Sequence, residues 1–241
     1  MPAPPSSAPV RPAASPKKNP PAAERVYHHV KQAVLERRYE GGMLLTEGEL
    51  AEAVGVSRTP VREGLLRLEV EGLIKLYPKK GAMVLPVSAQ EITDVVETRL
   101  LVEEHAVRKC AQAAGPALLT RLEQLLEEQH AHRADGDLAA LAVSDRAFHA
   151  EIVKATGNEI LVRLYDQLRD RQLRMGVAVM HAHPQRIAKN ITEHTEIVAA
   201  LRAADPDAAA AAVHHHVSWV RNLAHGEDAP ATDRAEQGGA R

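Results

Sequence analysis

Residues 46–84 read TEGELAEAVGVSRTPVREGLLRLEVEGLIKLYPKKGAMV, and this stretch decides the fold of the front of the chain. Thr46 and Glu49 stand in the T-x-x-E spacing of a capping box, in which each side chain satisfies a backbone N–H at a helix start. A helix therefore begins near Glu47. Gly55 supplies the permissive backbone of a sharp turn, and Ser57 follows as the expected N-cap of a second helix with Pro60 inside its first turn. Val61, Leu65 and Leu68 repeat at i, i+4 and i+7, which buries one face against Leu50 and Val54 of the first helix. The opposite face is left to Arg58, Thr59 and Arg62. That face lies at the N-terminal end of the helix, where backbone N–H groups and the dipole favour phosphate and where recognition helices meet base edges. Each arginine offers a bidentate fork to guanine O6/N7 or to phosphate.

Gly72 stops the second helix. Leu73 to Tyr77 and Ala82 to Leu85 read as two strands joined by Pro78-Lys79-Lys80-Gly81, a turn with two positive charges at its tip. A basic tip suits the DNA backbone or the minor groove. Cap, turn, arginine pair and wing in register point to a winged helix-turn-helix rather than to a helical hairpin with a solvated charged face. Upstream, Glu24 to Tyr39 holds Val26, Val30 and Val34 and ends in Arg37-Arg38, a first helix of the same domain.

The stretch resembles the N-terminal domain of the GntR family of bacterial transcription regulators. The resemblance is carried by Leu50-Ala51, the run Gly55 to Glu63, Leu66 to Leu68, Glu71-Gly72-Leu73 and Gly81. It implies DNA contacts from Arg58 and Arg62, from the hydroxyls of Ser57 and Thr59, and from the wing around Gly81 with Lys79 and Lys80. One departure is Gly48, where the family often has an arginine next to the phosphate backbone; glycine offers only its N–H.

Charge divides the chain in the same way. Residues 1–88 carry 13 Lys and Arg against 9 Asp and Glu, whereas residues 89–241 carry 17 against 23. The front can meet DNA and the back would be repelled by it. The single cysteine, Cys110, excludes an intramolecular disulfide framework and fits a reducing cytoplasm. No apolar run is long enough to span a bilayer. Residues 1–22 are rich in Pro, Ala and Ser and lack an apolar h-region, so they read as a disordered arm rather than a signal peptide. Residues 226–241 read as a disordered tail. The winged domain is expected over 23–87 and a helical metal- and effector-binding domain over 88–225.

From Ser88 onward strand signals vanish. Six helices are expected near 89–113, 116–134, 137–155, 159–181, 185–203 and 206–224, each break holding a cap or a helix breaker. The fold class is mainly α, an N-terminal winged helix-turn-helix followed by an all-α six-helix bundle. Aromatics are 2% of the chain, so Leu, Val, Ile and Ala must fill that core.

Polar residues interrupt the inward stripes of that bundle. Asp145 breaks the run Leu138, Leu141, Phe148, Ile152, with His149 one turn on. His194 shares a stripe with Ile187, Ile191, Val198 and Leu201, and His216 lines up with Ala209, Val213 and Val220. Burying one carboxylate and three imidazoles costs on the order of several kcal/mol unless they are paired or coordinated. Each histidine taken alone reads as a hydrogen-bonded core residue. Four together favour a divalent metal, with Asp145 and His149 binding from one helix face and His194 and His216 completing the set.

This half resembles the all-helical effector-binding domain of the FadR-like branch of the family, called FCD, in its smaller six-helix form. Arg99 to Glu103, Asp145 to His149, Gly157-Asn158, Arg186, Glu193-His194 and Asp205 to His216 carry the resemblance. It implies that Asp145, His149, His194 and His216 ligate zinc, nickel or manganese, zinc first. It also implies that Arg99, in the stripe Ile92, Val96, Arg99, Glu103, Ala106, faces the cavity and meets a carboxylate effector; the alternative is a plain pair with Glu103.

The expected function is a ligand-responsive transcription regulator, by default a repressor, acting as a homodimer on palindromic double-stranded operator DNA and answering a small organic acid. Two rivals are a metal-dependent hydrolase and a sensor whose effector is the ion itself. No glutamate in E-x-x-H spacing and no other general base is expected in the inward stripes, which disfavours the hydrolase.

Overall fold

The computed structural model describes residues 20–112 and 115–224. The expected tail and all but residues 20–22 of the expected arm lie outside the described residues. Ala22 already opens helix α1, Ala22–Leu35. Then follow β1 (Leu44–Leu45), α2 (Glu47–Val54), α3 (Arg58–Val70), β2 (Ile74–Tyr77) and β3 (Gly81–Val84).

The capping box forms as the spacing dictates: Glu49 N–H donates to Thr46 Oγ1 at 3.2 Å, and Thr46 N–H donates to Glu49 Oε2 at 3.0 Å. Ser57 has the extended backbone of an N-cap, but its hydroxyl makes no capping bond, which corrects that part of the expectation. Val26, Val30 and Val34 of α1 pack with Leu50, Val61, Leu65 and Leu68 into one apolar core. A Cβ at Gly64 would stand 3.0 Å from Ala23 O, so a small residue lets α3 lie close on α1.

The sheet has order β1-β3-β2, antiparallel throughout, with Leu45 opposite Ala82 and Tyr77 opposite Gly81. β1 was not foreseen, because two residues carry no periodicity. Gly81 begins β3 rather than closing the turn. Its φ is +116°, and a Cβ there would sit 2.3 Å from Leu45 O, so the approach of β1 explains this glycine without reference to a ligand.

The helical half comprises α4 (Ala89–Ala111), α5 (Pro116–Asp135), α6 (Leu138–Ala155), α7 (Glu159–Asp166), α8 (Arg169–Ala182), α9 (Ile187–Arg202) and α10 (Pro206–Ala224). These are seven α-helices among the described residues where six were expected, with a short 3-10 turn at Pro184–Arg186 before α9. The helix expected over 159–181 breaks at Gln167-Leu168, where Leu168 N–H bonds back three residues to Tyr165 O. No Gly or Pro marks the break. It lets α7 lie against α6 while α8 turns towards the winged half and touches α1.

One core of Leu, Val, Ile and Ala fills this half around Phe148, as the scarcity of aromatics requires. Burying each Leu, Val or Ile side chain contributes roughly 1.5–3 kcal/mol. The two halves join through α8. Asp170 lies 2.5 Å from Lys31 Nζ of α1, which also bonds Glu71 at 2.9 Å. Arg174 donates to Leu85 O at 3.1 Å, in the link between halves, and forks onto Glu91 of α4 at 2.5 and 2.7 Å.

Candidate metal centre and nucleic-acid interface

Four polar side chains that interrupt the inward stripes meet in the helical core. α6 brings Asp145 and His149, α9 brings His194 and α10 brings His216, and one ligand atom from each lies within 4.8 Å of the others. His149, His194 and His216 are 1%, 0% and 6% exposed. Phe148 stacks on His194 at 4.5 Å and holds its plane. The Nε2 atoms of His149 and His194 stand 3.1 Å apart, as do those of His194 and His216.

The opposite ring nitrogens show what those Nε2 atoms carry. His194 Nδ1 lies 2.8 Å from Gln129 Oε1, and the Gln129 amide is oriented by its own bond to Ser144 O. His216 Nδ1 lies 2.9 Å from Glu193 Oε2. His149 Nδ1 is 2.8 Å from Glu103 Oε2, off the ideal hydrogen-bond line. All three partners are acceptors, so the ring protons sit on Nδ1 and three bare Nε2 lone pairs converge. Burial drives the His194 pKa well below the ordinary histidine range, and His216 and His149 push it further. Burial lowers His216 too, although Glu193 opposes this.

Lone pairs facing one another at 3.1 Å repel, and no proton lies between them. A cation among them removes that cost, and Asp145 Oδ1, 3.5 Å from His194 Nε2, adds the negative charge. Two nitrogens each about 2.0–2.1 Å from one tetrahedral ion stand about 3.3 Å apart, close to the spacing here. The donor set therefore fits a divalent ion of borderline softness.

The acceptors behind the histidines are the residues that sequence reading missed. Gln129 ends the α5 stripe Leu122, Leu125, Leu126 and is 1% exposed; a fully buried amide in an apolar stripe was the available signal. Glu103 accepts from Arg99 Nε and from Tyr165 Oη, both at 2.7 Å. Burial would raise the Glu103 pKa, but Arg99 and His149 outweigh it and hold the carboxyl below the usual range. Glu193 is likewise opposed by burial yet lowered to about 2 by His216 and Arg186. The expectation that no carboxylate base stands in the inward stripes is thus corrected, since Glu103 and Glu193 are both there. Each is already committed to a histidine and an arginine.

Arg99 both pairs with Glu103 and lines a cavity of about 40 Å³ beside Asp145, with Arg146, Gln172, Met175 and His216. That volume holds roughly two or three waters. Part of its wall is α8.

At the other end of the molecule, α3, the start of α2 and the wing enclose an open groove of about 730 Å³ lined by Arg58, Arg62, Tyr77, Lys79, Lys80 and Gly81, among others. Ser57 and Thr59 are exposed at the start of α3 but do not line it. Lys79 and Lys80 are exposed at the wing tip, where Lys79 has φ +64°. Arg62 Nε donates to Glu47 Oε1 at 2.7 Å. Gly48 sits beside Arg58, whose Nη2 would lie 3.9 Å from a Cβ there.

Residues 22–84 match the model of the bacterial regulatory proteins of the gntR family, and residues 94–218 match the FCD domain. The chain belongs to the GntR family. Among relatives of this GntR regulator, an uncharacterized HTH-type transcriptional regulator in an unstable DNA locus of Streptomyces ambofaciens is 32% identical over 218 residues, covering 87% of this chain and 90% of the relative. The gluconate operon transcriptional repressor of Bacillus licheniformis is 28% identical over 145 residues, 60% of this chain and 59% of that one. The fold is shared with a putative GntR transcriptional regulator from Rhodococcus sp. RHA1, with a TM-score of 0.73, 22% identity and coverage of 85% and 97%. Escherichia coli McbR/YncC gives 0.69, 23%, 87% and 99%. The protein is a DNA-binding transcriptional regulator with a winged helix-turn-helix and an FCD domain, and its family is one of regulators, not enzymes.

Proposed function

We propose that this GntR regulator is a cytoplasmic, homodimeric repressor whose helical half binds a divalent metal through Asp145, His149, His194 and His216 and a small organic acid beside it. The observation that carries the reading is the convergence of three bare Nε2 atoms in the buried interior of the helical half. Zinc suits three imidazoles and one carboxylate best; nickel and manganese are the alternatives. When bound, the ion supplies a positive site for a carboxylate oxygen. Arg99 sets a guanidinium on the same cavity, and Glu103 fixes its direction.

On the DNA side, Ser57, Arg58, Thr59 and Arg62 meet the operator from the start of α3, and Lys79, Lys80 and the Gly81 backbone meet it from the wing. Two copies related by a two-fold axis would read two half-sites. Linkage between the sites runs through α8. Met175, Val179 and Met180 wall the 40 Å³ cavity, while Asp170 and Arg174 of the same helix hold α1 and the link between halves. An acid larger than a few waters has to displace that wall, and it shifts the winged halves only if it binds the displaced arrangement more tightly.

A gel shift on the intergenic DNA upstream of the protein's own gene, with metal-loaded and chelator-treated protein and a panel of small carboxylates, tests this. Release by an acid only in the metal-loaded form is expected. Release that tracks free metal without any acid would instead make the ion itself the effector.

A further inference from the structure

The fold treats the two arginines of α3 differently. Arg58 is exposed and makes no hydrogen bond or ion pair among the described residues. Arg62, one turn on, is two-thirds exposed yet donates Nε–H to Glu47 at 2.7 Å. Glu47 is itself well held. It is the first residue of α2, inside the capping box formed by Thr46 and Glu49, and the N-terminal end of a helix favours its charge. The bond uses the one N–H of the guanidinium that points back along the side chain. The two Nη groups remain as an outward fork, the arrangement that meets guanine O6 and N7 together.

We propose that Glu47 is a positioning residue for sequence reading: its carboxylate pre-orders Arg62 over the groove, so that this arginine discriminates a guanine in the operator. Ordering a long side chain on binding weakens association by about two- to tenfold, and Glu47 meets that cost in the free protein. The same carboxylate repels phosphate, which weakens binding to every duplex alike and so leaves the ratio of specific to non-specific affinity unchanged. The pre-ordering of Arg62 alone raises that ratio. An acidic residue at the edge of a DNA-binding face, a liability for affinity alone, thereby serves discrimination.

The inference rests on α3 entering the groove, and the experiment separates the two. Full-length protein selects a site from a pool of random duplexes, and fluorescence anisotropy then measures its affinity for that site and for a scrambled duplex of equal length. Glu47→Gln should lower the ratio of the two affinities about five- to tenfold, with binding to the scrambled duplex unchanged or tighter. In an Arg62→Ala background the same change should move the ratio less than about twofold. Equal change on both duplexes, or an undiminished effect in the Arg62→Ala background, would overturn the positioning role. A ratio untouched by Arg62→Ala would sink the assignment of α3 itself. If Glu47→Gln melts below the parent protein, Glu47→Asp serves instead; it keeps the charge at shorter reach, and a ratio between those of the parent and Arg62→Ala is expected, a ratio equal to the parent's being contradictory.

Discussion

At the scale of single residues, the meeting of Asp145, His149, His194 and His216 was legible and the groups that support them were not. Asp145 and His149 stand i, i+4 in a stripe that is otherwise apolar, a local pattern that any reader of the chain can see. Gln129, Glu103 and Glu193 act by touching histidines 65, 46 and 23 positions away, and sequence order holds no trace of such pairings. Their weight can be measured. Gln129→Leu leaves His194 Nδ1 without an acceptor, so isothermal titration should show metal affinity reduced about 10–100-fold in a folded protein. Stability should fall by about 1–3 kcal/mol in urea melts, from the buried donor left unpaired. Arg99 presents a different contrast. Arg99→Ala should keep operator binding and blunt the acid response, and an unchanged acid response would reduce Arg99 to the partner of Glu103.

At the scale of elements, capping and periodicity gave nearly every helix, because the signals are local: Thr46 with Glu49, Pro116, Asp137 and Asn158 all stand at helix starts. The failures have physical reasons. β1 is two residues long and exists only because β3 is there to pair with it. The α7–α8 break has no breaker residue and follows from the different neighbours of its two sides. That break matters, since α8 carries both the cavity wall and the contacts to the winged half. Burial alone would lower the Lys31 pKa, but Asp170, Tyr27 and Glu71 outweigh it and raise it above the usual lysine value. A pKa raised in the folded state contributes stability that is complete below the unfolded value of about 10.5 and is lost as pH rises through the folded one. Thermal melts of wild type and Lys31→Met should therefore differ most below pH 10.5 and converge at more alkaline pH; a constant difference would mean that the charge of Lys31 is not what ties α1 to α8.

At the scale of the whole molecule, the charge division between the front and the back of the chain corresponds to two surfaces with different tasks. On the proposed reading the basic groove of α3 and the wing would face DNA, and the acidic helical half would hold a divalent cation among Asp145, His149, His194 and His216. Neither half displays a helix long and apolar enough to cross a membrane among the described residues. Family membership establishes the regulator, and the interior of the helical half is where the proposed metal and effector would be held. That interior is organised around three imidazoles with protons on their outer nitrogens and lone pairs directed at one point. The most direct measurement is the metal content per protomer, by mass spectrometry, of wild type and His194→Ala after identical loading and desalting. Close to one divalent ion is expected in the wild type and a large loss in the variant; a wild type that retains none, or a variant that retains as much, would contradict a metal held by these residues.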